Sequence, residues 1–197
     1  MPVETAFAVA LFAIASTFTP GPNNIMLAAS GANFGFARTI PHMAGVSLGF
    51  VVLLAAAGMG LGALMLAVPQ LQTALKICGA GYLLWLAWKI AQAGAAGEGD
   101  ARAQPLTFLQ AAAFQWVNPK GVITAIGAIA LYVRPDHART DLGLLLAVFG
   151  LVTVGSVVAW SGFGVALAGL LRNPRQAQIF NICMALALVI SIVPMVR

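Results

Sequence analysis

The chain has 197 residues, of which 61% are hydrophobic and only 8% charged, with a formal net charge of +5. A soluble domain carries roughly a quarter charged residues, and a mean hydropathy of +0.95 excludes an ordinary soluble fold. The basic residues stand singly at the ends of apolar runs, the pattern of loop charges in a polytopic membrane protein rather than of a nucleic-acid surface.

The expected fold is all-α and polytopic, a single membrane domain over residues 1–197. The opening Met-Pro-Val-Glu-Thr lacks a basic segment, so no cleaved signal peptide is expected. Span one is predicted at about residues 5–29, broken at 19–24. No charge lies between Glu4 and Arg38, a run long enough to cross a bilayer at about 20 residues per span. Thr19-Pro20-Gly21-Pro22-Asn23-Asn24 cannot stay in a regular helix, because each proline removes an N–H and clashes with the preceding turn. Broken backbone at membrane depth is tolerated where protein buries it or where it lines a polar cavity. A short connection with Gly31, Gly35 and Arg38 leads to span two at about 42–67. Its Gly45-x3-Gly49 and Gly58-x3-Gly62 pairs let a neighbouring helix approach closely, within one bundle or across a homodimer.

Span three is predicted at about 71–92. Lys76 and Lys89 snorkel from its two ends, and Tyr82, Trp85 and Trp88 fit an interfacial aromatic belt. The small, polar stretch 93–104 is the one linker. Span four, about 105–133, would measure roughly 40 Å as a straight helix, too long for a core of about 30 Å. Asn118-Pro119-Lys120-Gly121 breaks it near its centre. Span five covers about 142–171 and span six about 176–196.

Six spans form two sets of three, with halves at about 1–95 and 105–197. Pro20 and Pro119 are 99 positions apart, Pro22 and Pro119 97, so the breaks occupy matching places in the halves. Three spans per half give the halves opposite orientations, the inverted-repeat plan in which paired broken helices build a site at the midplane. With the N-terminus outside, inner segments hold Arg38, Lys89, Arg102, Arg172 and Arg175; outer segments hold Lys76, Arg134, Arg139 and Arg197. Five against four favours periplasmic termini.

Lys120 is the one charged residue near the centre of a span, where a lysine costs roughly 3 kcal/mol on insertion scales. It either caps carbonyls freed by Pro119 or faces a cavity to meet an anion or carry a proton. Asn23, Asn24 and Asn118 lie at the same depth and serve orphan backbone groups, a ligand, or both. Half-helices starting after Pro22 and Pro119 point free N–H groups and positive dipole ends inward, while those ending there offer carbonyls. Such a site holds a carboxylate beside an ammonium, as an α-amino acid requires. The candidate substrate-binding set is Thr19, Pro20, Gly21, Pro22, Asn23, Asn24, Asn118, Pro119 and Lys120. Gln115 and Trp116 line the pocket or pack. No Asp or Glu lies deep in a span, which favours a small neutral substrate over a basic one.

Lys120 and His42 are the candidates for coupling to protons; His42, beside Pro41, reads first as a solvated interfacial residue and second as a coupling group. Cys78 and Cys183 lie in spans three and six without neighbours that would activate a thiolate. No metal, cofactor or nucleic acid is expected. A metal-ion exporter of the same plan would want clustered oxygen ligands, and an intramembrane enzyme or thiol-redox protein would want a nucleophile with a base or reactive cysteines.

These motifs resemble those of the LysE/RhtB family of bacterial amino-acid exporters. Thr19-Pro20-Gly21-Pro22-Asn23 is similar to that family's first-span signature and Asn118-Pro119-Lys120 to its fourth-span signature. Ala44-Gly45-Val46-Ser47-Leu48-Gly49-Phe50, the run Gly81 to Ile90, and Phe180-Asn181-Ile182 look like the cysteine and O-acetylserine exporter branch. The resemblance implies export of small neutral amino acids across the bacterial inner membrane, driven by the proton gradient. The family pattern carries an acidic residue just after the second-span glycine pair. Phe50 stands there in this chain, a departure that counts against proton coupling through that position.

Overall fold

The apolar runs fold as helices throughout the computed structural model, which describes residues 3–62, 67–92, 104–169, 171 and 173–193. Among the described residues there are eight α-helices and no strand. Helix α1 is Val3–Phe18 and α2 is Pro22–Phe34. The two are bent by 57° at Thr19-Pro20-Gly21, the break expected in span one. Pro22 takes the first position of α2, where a missing N–H costs nothing.

Helix α3, Phe36–Ala56, starts six residues earlier than the expected second span. The expected connection shrinks to Gly35, whose φ of +79° makes the whole turn, a conformation glycine adopts without a Cβ penalty. Pro41 and His42 therefore lie inside the helix rather than at its start. A five-residue π segment, Ala57–Leu61, follows α3, with Gly60 at φ +104°. This second interruption, unlike the first, has no proline to mark it in the sequence.

Helix α4 is Pro69–Ala91, again with proline in its first turn. Along it Tyr82 stacks near Trp85, and the Lys89 ammonium lies 4.7 Å from the Trp85 ring, a cation–π contact. Most of the expected linker, residues 93–103, lies outside the described residues, as do Arg102, Arg172 and Arg197. Helix α5, Phe108–Phe114, is only seven residues long and opens on a Thr107/Gln110 capping box. After a turn, α6 runs Pro119–Tyr132. A 3-10 turn at Pro135–His137 leads into the long α7, Ala138–Ala168, and α8 is Pro174–Ile190.

Phe36–Leu61, Thr73–Ala91 and Pro135–Ala168 are long and apolar enough to cross a membrane, and the bent pair α1–α2 makes a fourth if counted as one span. Helices α1 and α2 pack on α7, while α5 and α6 pack on α3. Each broken segment thus leans on a helix from the opposite half of the chain. Between them α3 packs on α7, and to one side α4 packs on α8.

Small residues make these approaches possible, since packing in lipid depends on close van der Waals fit. A Cβ on Gly45 would strike the Phe108 carbonyl, and one on Gly49 would sit 2.6 Å from the Ala112 Cα, so this pair seats α3 on α5. Gly31 and Gly164 do the same for α2 and α7, against the backbones of Ser161 and Ala28. Gly58 faces Leu142 and Ile129, and Gly62 faces Ile126. The glycine pairs are thereby used within the bundle.

Asp141 lies in the first turn of α7, ahead of the expected start of span five, and is fully buried. It accepts two hydrogen bonds from the Arg134 guanidinium, at 2.8 and 2.9 Å. This charge-assisted fork ties the end of α6 to the start of α7 and holds Arg134 protonated, its pKa raised above the ordinary value by the carboxylate.

Candidate functional site

A break in a membrane helix frees backbone groups that lipid cannot satisfy. Of the carbonyls freed at the first break, between α1 and α2, four are met by side chains of other elements. Thr17 O accepts from Asn24 Nδ2 at 2.7 Å and from Ser156 Oγ at 2.8 Å. Phe18 O accepts from Trp160 Nε1 at 3.2 Å. Thr19 O accepts from Asn24 Nδ2 at 2.9 Å and from Lys120 Nζ at 2.6 Å. Pro20 O lies 3.5 Å from Lys120 Nζ. Every donor is a side chain from another element, so the break holds its shape only when α2, α6 and α7 are in place.

The second break is satisfied differently. Backbone N–H groups of Gln115, Trp116 and Val117 donate three residues back, to Ala112, Ala113 and Phe114, and Asn118 N donates to Phe114 O at 2.9 Å. Gln115 Nε2 covers Ala111 O at 2.8 Å. This break closes on itself in a tight turn and has its lysine free to reach across. Lys120 does not cap carbonyls released by Pro119; it caps those of the other break. Its ammonium also donates to Thr19 Oγ1 at 2.9 Å, so its three N–H groups meet three acceptors, one of them long.

The two breaks therefore face each other. Asn23 and Gln115 seal the contact with a reciprocal amide pair, Asn23 Nδ2 to Gln115 Oε1 at 2.8 Å and Gln115 Nε2 to Asn23 Oδ1 at 3.2 Å. Between the breaks lies a cavity of about 50 Å³ lined by Gly21, Asn23, Asn24, Gln115, Asn118, Lys120 and Gly121, with α3 and α7 closing its sides. At roughly 10–15 Å³ per water it holds a few water molecules. Neither α2 nor α6 has a side-chain cap at its N-terminus, so both positive dipole ends are available to an anion. The buried Asn118 Oδ1 has no protein partner and offers an acceptor for a ligand's N–H.

Of the sequence candidates, Gly21, Asn23, Asn24, Asn118 and Lys120 line the cavity. Thr19 and Pro20 hold the lysine, while Pro22 and Pro119 set the first turns of α2 and α6. Asn24 plays the backbone role weighed for it, and Asn23 pairs with a side chain instead. Gln115, left open between lining and packing, is fully buried and lines the cavity, whereas Trp116 packs into the apolar cluster around Phe149. His42 is a correction. It is 1% exposed rather than solvated, neither ring nitrogen has a protein partner, and it is not among the cavity-lining residues. Cys78 and Cys183 are both free and exposed on the outside of α4 and α8, which gives a thiol relay no partner. No cluster of three metal-ligating side chains occurs among the described residues. Asn181 of the span-six stretch is buried and accepts from Asn33 at 3.1 Å, joining α8 to α2.

Residues 14–193 match the family described as LysE type translocator. The chain is 37% identical over 185 residues, 90% of each sequence, to a protein of Salmonella typhimurium named cysteine/O-acetylserine efflux protein. It is 34% identical over 183 residues, again 90% of each, to the protein of the same name from Escherichia coli K12. No solved structure matches. The paired breaks, the apolar helices and this similarity over nearly the full length agree, and the chain belongs to the LysE-type translocator family.

Proposed function

We propose that the protein exports small neutral amino acids or their derivatives, of the cysteine, O-acetylserine, homoserine or threonine type, from the cytoplasm across the bacterial inner membrane. The observation that carries this reading is the Lys120 ammonium held on Thr19 O and Thr19 Oγ1 of the facing break. A substrate carboxylate displaces the long contact to Pro20 and binds between Lys120 and the two helix N-termini. The freed carbonyls and Asn118 Oδ1 take the substrate ammonium. Hydrogen bonds to charged groups contribute about 1.5–3 kcal/mol each, so exchanging one such partner for another costs little.

The helices form a six-span bundle of two inverted halves, with both termini periplasmic. The crossed packing of each broken span on the other half supports this arrangement. Transport proceeds by alternating access, one half moving against the other around the shared site, with α3 and α7 as the sliding surfaces. Proton flow drives the cycle through Lys120, with His42 as the second candidate.

The test is efflux from cells loaded by feeding dipeptides, with every amino acid in the medium assayed. Release of a small neutral amino acid above the empty-vector level, lost in Lys120→Ala, supports the function and the site. Lysine or arginine competing for release would sink the neutral-substrate reading. No release from protein present in the membrane would point to another substrate class.

A further inference from the structure

Besides Asn118 Oδ1, the cavity holds a hydroxyl that nothing in the fold uses, that of Thr153. Serine and threonine inside a helix commonly donate to a carbonyl one turn back. On α1, Ser16 does so to Phe12 O at 2.7 Å and Thr17 to Ala13 O at 2.8 Å. Thr153 on α7 does not. It is 4% exposed, its Oγ1 has no hydrogen-bond partner in the protein, and it lines the cavity. A buried hydroxyl without a partner carries a desolvation cost, and a rotamer that donated one turn back would have removed it.

Apolar side chains flank Thr153 along its own helix and across the cavity. Phe149 and Val157 lie four residues to either side, on the same face of α7. Across from them on α3, Val46 and Phe50 line the cavity, and the Phe50 ring is 5.7 Å from that of Phe149. The charged and amide groups belong to the other wall, at the two breaks. The amide and ammonium groups at the breaks suit a carboxylate and an ammonium; of the hydroxyls that line the cavity with them (Ser16, Thr17, Thr124, Thr153 and Ser156), that of Thr153 is buried and left without a protein partner.

We infer that Thr153 reads the substrate's side chain, its hydroxyl pairing with a hydroxyl, thiol or other single hydrogen-bonding group on a small amino acid. This rests on the amino-acid export reading above and assigns specificity within it. Valine and phenylalanine around the hydroxyl accommodate carbon and offer no counter-charge to an ionised side chain. A site that hydrogen-bonds a substrate group discriminates against the analogue lacking it, because the site's own polar group is then left unpaired.

The experiment compares serine and alanine, fed in parallel as dipeptides, in cells carrying wild type, Thr153→Val or Thr153→Ser at matched membrane levels. Thr153→Val keeps the shape and removes the hydroxyl. The expected result is that serine release falls about tenfold, the effect of one good hydrogen bond, while alanine release stays within about twofold of wild type. Thr153→Ser retains serine release. The purified Thr153→Val protein melts no lower than wild type, since the hydroxyl it loses has no protein partner. Serine and alanine release falling together, serine release unchanged, or a lowered melting temperature would each overturn the assignment while leaving the export reading standing. Wild type releasing another small amino acid but neither serine nor alanine overturns the assignment and leaves the export reading standing; wild type releasing no amino acid at all sinks both.

Discussion

The joint between α2 and α7 gives a sharp test of the packing, because two glycines of the same helix have opposite surroundings. A Cβ added to Gly164 would strike the Ala28 carbonyl oxygen, and would lie 2.8 Å from the Ala28 carbonyl carbon and 2.9 Å from the Ala32 nitrogen. Carbon atoms in contact sit about 3.5–4.0 Å apart, and all three atoms are backbone. No side chain can rotate away, so α2 must move off α7 by about 1 Å. Gly162, two residues earlier, has nothing within 4 Å of the same added atom. Overpacking of this kind costs about 1–3 kcal/mol. In a chain of this length each kcal/mol shifts the melting temperature by about 2–4 °C, so Gly164→Ala should melt roughly 2–12 °C below wild type. Gly162→Ala should match wild type or exceed it slightly, because alanine favours helix over glycine by up to about 1 kcal/mol. Export should also fall in Gly164→Ala, since α2 carries Asn23 and Asn24 at its N-terminus and small misplacements at a binding site are felt strongly. The assay is thermal unfolding of the two purified variants side by side. Equal melting temperatures would refute the reasoning, because the close approach would then not be what holds α2.

Further outcomes follow from single contacts. Gln115→Leu leaves the Asn23 amide without its partner and the Ala111 carbonyl uncovered, so stability should drop by about 1–3 kcal/mol and export with it, measured by melting and by dipeptide-fed efflux. Asp141→Asn weakens the fork to Arg134 and should lower the melting temperature while leaving substrate preference intact, because Asp141 is not among the cavity-lining residues. Replacing both Cys78 and Cys183 by serine should leave efflux at the wild-type level; its loss would revive a thiol relay. His42→Leu exchanges an unpartnered buried imidazole for an apolar side chain and should not reduce stability. If release then continues downhill but no longer against a gradient, His42 carries the coupling proton.

The breaks were legible in the sequence because proline there is clustered with glycine and asparagine, whereas the lone Pro41 stays inside α3. Pro20-Gly21-Pro22 and Asn118-Pro119 within long apolar runs admit few other readings, and the structure places a break at each. What the sequence could not supply was the partner of each freed group. Lys120 was expected either at its own break or in the cavity. It reaches the opposite break, a choice made by packing between residues 101 positions apart. The Asn23–Gln115 pair spans 92 positions, beyond any local pattern, although glutamine just before a break in an apolar run was a signal. Gly60 carries a positive φ amid other glycines, with nothing in its neighbours to single it out. His42 was misread because histidine beside proline resembles a loop end, whereas Gly35 alone makes the turn and the helix starts earlier. Thr153 resembled any other threonine in a helix; its difference is a hydrogen bond not made, which only coordinates reveal.

Exchange in proteoliposomes tests the central claim most directly. Purified wild type and Lys120→Met would be reconstituted with a labelled small neutral amino acid inside and the same compound unlabelled outside. Methionine keeps the length and apolar stem of lysine and removes its charge and donors. Wild type should exchange label, and Lys120→Met should lose exchange while remaining folded, as judged by its melting curve. Exchange by Lys120→Met at the wild-type rate would contradict the account, reducing the lysine to a support for the Thr19 and Pro20 carbonyls and placing the substrate elsewhere.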